Sequence, residues 1–136
     1  MSHVASLDKA AHLAAIAAAV NAVLPVTCRA YMMDDLAALD PRPDEYVELR
    51  LYERPTETPL ACGTSDCGHW RLTALCVSRW FATNVDVSLT GVRRALEHRT
   101  VTVEGRTSTP LQLEPGSAVA PDDGWWSSLT TFTYVL

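Results

Sequence analysis

Between Trp80 and Val85 the hydrophobic period of this chain changes, and that change limits the available folds more than any other feature. From His69 to Arg79, Trp70, Leu72, Ala74 and Cys76 share one parity, while Leu75 and Val77 fall on the other. A period of two with apolar residues on both parities predicts an interior strand of a sheet. Beyond Trp80, the residues Val85, Leu89, Val92 and Leu96 recur every three or four positions, which is one face of a helix. Arg93, Arg94, Glu97 and His98 occupy its last turns, where positive charge suits the helix dipole. Thr100 to Glu104 alternates again, with Val101 and Val103 inward, until Gly105 breaks the pattern. The stretch from His69 to Glu104 therefore reads as strand, helix, strand.

The rest of the chain fits around that unit. Residues 6–24 predict a helix, capped by Ser6, stopped by Pro25 and rich in Ala. Its expected buried face is Leu13, Ile16, Ala17, Val20, Val23 and Leu24. A short strand over 26–31 and a proline-bearing loop or single turn over 32–44 follow. Val47, Leu49 and Leu51 alternate with Glu48, Arg50 and Tyr52, so 46–54 is a half-buried strand that forms an antiparallel hairpin with 69–79. The connection, residues 55–68, holds Pro55, Pro59, Gly63 and Gly68, and loops of that length are often functional. Leu111 and Leu113 mark a short edge strand. The terminal WWSSLTTFTYVL alternates as a strand whose apolar edge needs pairing within a sheet. The expectation is one α+β domain over residues 1–136: a single mixed, mostly antiparallel sheet with two helices on one face.

At 136 residues with 48% hydrophobic and 20% charged residues, the chain has the composition of one globular domain. A net charge of −5 disfavours general nucleic-acid binding, which needs a basic stripe. The apolar run near the N-terminus is interrupted by Asn21 and is too short to span a bilayer. It reads as a soluble helix, without membrane partner or export signal.

Chemistry-bearing motifs are sparse. There is no G-x-S-x-G, no P-loop, no dinucleotide fingerprint and no H-E-x-x-H. Cys62, Cys67, His69 and Cys76 can be drawn as a metal set, but structural zinc favours two close Cys pairs, and Cys76 shares a parity with Leu72 and Ala74. Cys28 and Cys76 are expected as buried thiols, and Cys62 with Cys67 lacks the C-x-x-C spacing of a redox pair. His3, His12 and His98 are read as solvated. No catalytic residue, cofactor or metal is expected. The adjacent Trp125 and Trp126 point to opposite faces of an extended segment. One enters the core, and the other is exposed unless a partner covers it.

The element order, together with the "YVELRLYERP", "HWRLTALCVS", "VRRALEHRTVTVEG" and "TTFTYVL" stretches, resembles the tail terminator (tail completion) proteins of long-tailed, non-contractile bacteriophages. The resemblance covers nearly the whole chain and rests on layout, not on an invariant motif. It implies a structural virion protein, assembled in the host cytoplasm. Such a protein forms a hexameric ring on the last ring of the tail tube, stops tube growth, and offers the head connector or stopper protein its joining surface. Loop 55–68 is then the natural docking arm, carrying Glu57 and Asp66, with Arg54, Trp70 and Arg71 at its root. Another head–tail connector protein, such as a stopper or adaptor, and a small Cys/His metal-binding domain are the alternatives.

Overall fold

The computed structural model describes residues 9–54, 68–114, 116 and 118–136. Helix α1 spans Lys9–Asn21, strand β1 Arg29–Met32, helix α2 Met33–Ala37, strand β2 Glu45–Arg54, strand β3 His69–Ser78 and helix α3 Ala82–Leu96. Five strands follow: β4 Thr102–Val103, β5 Arg106–Thr107, β6 Gln112–Glu114, β7 Ala120–Asp122 and β8 Trp125–Val135. The fold is α+β.

The main sheet has the order β1-β2-β3-β8-β6, with β7 also on β8. Only β1 and β2 run parallel; the other pairs are antiparallel. The hairpin expected from alternation is present, registered from Glu45↔Ser78 to Arg54↔His69. β3 lies between β2 and β8, the interior position expected for it. The terminal strand is indeed paired, along its whole length with β3 and on its other side with β6 and β7. Gly68, expected in the loop, belongs to the sheet end. Its N–H donates to the Leu136 carbonyl (2.7 Å), and the Leu136 N–H donates back (3.0 Å).

The core lies between one sheet face and the helices α1 and α3. The sheet contributes Val47, Leu49, Leu51, Leu72, Ala74 and Phe132, all essentially inaccessible. Helix α3 contributes Val85, Val92 and Leu96, as its spacing predicts, with Leu89 half-buried at the margin. Each fully buried aliphatic or Phe side chain contributes about 1.5–3 kcal/mol. The two helices meet where Gly91 faces Leu24: a Cβ at Gly91 would lie 3.0 Å from Leu24 Cδ2.

Helix α1 buries most of its expected face: Ile16 and Val20 are inaccessible, Leu24 just beyond the helix is buried, and Leu13 and Ala17 are partly buried against the core, while Val23 is exposed and His12 joins the buried side. His12 was expected in solvent, yet it is 2% exposed. The core accepts this polar ring because its Nδ1 is hydrogen-bonded to the Tyr134 hydroxyl at 2.9 Å and its face lies against Trp70, 4.5 Å between ring centroids. Asn21, which merely interrupts the apolar run in the sequence, ties the helix to β1. Its Oδ1 accepts from the Ala30 N–H (2.7 Å) and Arg29 Nε (3.1 Å), and its Nδ2 donates to the Ala30 carbonyl (3.2 Å).

The expected strand over Thr100–Glu104 contracts to β4, which pairs with β5 in a separate two-stranded ribbon. Val101 and Val103 are buried as expected, and Gly105 takes the positive φ of +82° that the ribbon's turn requires. Residues Met33–Ala37, expected as a loop or single turn, form the short helix α2 with no buried residue.

Candidate functional site

The strongest concentration of aromatic and arginine side chains lies at one end of the sheet, where β2 begins, β3 ends and β8 begins. Ser78, the last residue of β3, organises the turn into α3. Its hydroxyl donates to Glu45 Oε2 (3.0 Å) and accepts from the backbone N–H groups of Trp80 (3.2 Å) and Phe81 (3.4 Å). Asn84 Nδ2 donates to the same Glu45 oxygen at 2.6 Å. The turn is thereby fixed, and it holds Trp80 54% and Phe81 64% exposed. Two aromatics held in water by a hydrogen-bonded turn contribute little to the core, and Trp and Arg are the residues that anchor interfaces.

Arginines line the same end. The Arg42 guanidinium lies 3.8 Å from the Trp125 ring centroid and 5.4 Å from that of Tyr46. Tyr46 and Trp125 meet edge to face at 6.4 Å. Arg79 lies 5.6 Å from the Trp80 ring and 5.9 Å from the Trp125 ring, and its Nη1 is 3.5 Å from Asp44 Oδ1. Contacts of this kind hold each guanidinium beside an aromatic ring, and Arg79 also keeps its ion pair with Asp44.

The residues singled out from the sequence separate into different environments. Trp126 packs against the core, while Trp125 faces the other side of the sheet. The expected division of the pair is therefore present, but Arg42 of the same chain covers the outer ring. Trp70 is not an interaction residue. It is 1% exposed at the centre of the core, because it shares the inward parity of Leu72 and Ala74. Its Nε1 is buried and has no hydrogen-bond partner among the described residues. Arg71, on the outward parity, is exposed and pairs with Glu114 at 3.2 Å. Arg54 closes β2 opposite His69. Glu57, Asp66, Cys62 and Cys67 lie outside the described residues.

Cys76 and Cys28 are both buried free thiols, as expected. Burial pushes the Cys76 thiol up to about 12 and raises that of Cys28 as well, against the opposing hydrogen bond from Ser88 (Sγ to Oγ 3.3 Å). Such thiols are neutral at physiological pH, the wrong state for a metal ligand or nucleophile. Among the described residues, no group of three or more His, Cys, Asp or Glu side chains is placed to hold a metal ion. Also among them, no helix is long and apolar enough to cross a membrane.

The arginine–aromatic end escaped the sequence reading except for Trp125. In the sequence Trp80 only marks where the hydrophobic period changes, and nothing there gives Phe81, Arg42 or Arg79 a role. A signal was present: Arg79-Trp80-Phe81 falls at the break between the two hydrophobic periods, where a side chain belongs to neither buried face.

No family model matches the chain, and no curated protein sequence matches it. Solved structures do. A chain from the virion of a native gene transfer agent particle is similar at a TM-score of 0.63 and 13% identity, covering 93% of this chain and 96% of that one. A second solved chain is similar at 0.64 and 11% identity, covering 99% and 95%. At such identities the likeness is one of fold, and it extends from end to end: this α+β arrangement of sheet and helices is one also found in a virion.

Proposed function

We propose that this chain is a structural component of a phage-like particle, and specifically a tail terminator. In this reading it forms a hexameric ring on the tail tube, ends tube growth and gives the head connector its joining surface. The observation that carries the reading is the whole-length fold likeness to a chain of a gene transfer agent virion. It agrees with the layout resemblance drawn from the sequence. The arginine–aromatic end supports it as well, since a ring-forming, tube-docking subunit needs anchors held exposed before assembly. Loop 55–68 remains the proposed docking arm, with Arg54, Glu57, Asp66 and Arg71 as its contacts. A structural role of this kind requires no cofactor.

The test is to add the purified protein to growing tail tubes and image them by negative stain. The expected result is one added ring at the tube end and arrested elongation. Tubes that grow on unchanged would overturn the terminator reading. Attachment to isolated heads without attachment to tubes would replace it with that of a connector protein.

A further inference from the structure

One edge of the sheet is left partly open. β1 ends at Met32, opposite Leu49, while β2 runs on to Arg54. Past Leu49 no described strand pairs with β2 on that side. The gap forms a groove of about 610 Å³ between the first turns of α1 and the start of α2. Leu13, Met32 and Leu51 give it an apolar lining, with Tyr52 at the rim. Lys9 of α1 and Arg50 of β2, the latter paired with Glu48 at 3.0 Å, also line the groove, so its negative charge is confined to the α2 wall, where Asp34 and Asp35 are exposed and have no basic partner among the described residues.

The opposite sign gathers on a different element. Arg94 in the last turn of α3 and Arg99 just beyond it are exposed, and neither has an acidic partner among the described residues. Their neighbours Arg93 and His98 share Glu97, at 3.0 and 3.6 Å. These side chains border a shallow groove of about 360 Å³. Thus an acidic-walled groove and a basic helix end sit on separate surfaces, and no ion pair joins them within the chain.

We infer that successive copies of this chain meet head to tail, the basic end of α3 in one copy seating against the Asp34/Asp35 wall of the groove in the next. The inference rests on the ring reading above and assigns the two contact surfaces of that ring. A cyclic assembly needs two different, matching surfaces on each subunit, and these match in charge. The occupant is a second copy because the complementary surface is found on this same chain.

Charge reversal tests this on the full chain, by light scattering with size exclusion and by negative stain. Three variants are compared with wild type: Asp34→Arg with Asp35→Arg, Arg94→Glu with Arg99→Glu, and all four together. All four positions are exposed, so the thermal midpoints should stay near wild type. Wild type is expected to assemble less readily as salt rises. Each reversed pair should need about tenfold or more higher concentration to assemble, and the fourfold variant should regain assembly. If the reversed pairs assemble as wild type does, or the fourfold variant stays monomeric, this contact is wrong while the ring reading stands. If wild type remains monomeric at every concentration and on tail tubes, the ring reading itself falls and the contact with it.

Discussion

Burial decides what each tryptophan of this protein does. Trp70 fills the core against His12, so Trp70→Ala should cost about 3–5 kcal/mol, measured by denaturant unfolding. Trp70→Phe keeps most of the volume and removes an N–H that has no partner among the described residues, so its cost should be far smaller. Trp80→Ala at the exposed turn should change stability by less than about 0.5 kcal/mol and, under the proposed function, weaken assembly. Cys76 gives a pH prediction. Its thiol ionises from 9.0 in the unfolded chain but is pushed up to about 12 by burial in the fold. The neutral thiol's contribution is therefore complete below pH 9 and is lost as pH climbs from there toward 12. Unfolding curves from pH 8 to 11 should show wild type losing stability faster than Cys76→Ala, by up to about 1.4 kcal/mol per pH unit. His12 shows why single residues misread. A lone histidine on an Ala-rich helix looks solvated, and only the meeting of β8 with α1 supplies the Tyr134 hydroxyl that lets it be buried.

Elements were legible wherever a period ran long enough to be counted. β2, β3, β8 and α3 appear where alternation or helical spacing placed them, because each buries one complete face. The parallel pairing of β1 with β2 and the placement of β6 and β7 on the far side of β8 were not legible. Strands of three or four residues carry too short a pattern, and their partners are set by distant chain. α1 was found with most of its expected face buried; Val23 and His12 depart from it, since an Ala-rich helix has no strong apolar stripe to fix its rotation closely. The helix-to-helix fit at Gly91 follows from packing alone. Gly91→Ala gains helix propensity against a 3.0 Å contact that Leu24 must relieve, so its net effect on the thermal midpoint should be small. Gly91→Leu should destabilise by about 1–3 kcal/mol by forcing α1 away from α3. At the junction of α1 and β1, Asn21→Ala should cost about 1–3 kcal/mol, because it leaves the Ala30 N–H without its acceptor.

At the scale of the whole molecule, the layout carried the proposal of an assembly role but gave no place for it, because the exposed Trp80 and Phe81 at the end of the sheet depend on a turn that Ser78 and Glu45 build across 33 residues of sequence. Replacing residues 55–67 with a short Gly/Ser turn should leave the β2–β3 register and the thermal midpoint largely intact, since that register is fixed by ten facing pairs. It should abolish tube capping if the segment is the docking arm; loss of folding would instead make it structural. The pairing of β8 with β3 has a further consequence, for synthesis. β8 is made after every other strand described, yet it sits inside the sheet, between β3 and the short strands β6 and β7. Until it emerges from the ribosome, β3 is an open apolar edge, and β6 and β7 have nothing to join. Translation that stalls before Trp125 therefore leaves β1, β2 and β3 separated from β6 and β7, with the long edge of β3 open to neighbouring chains.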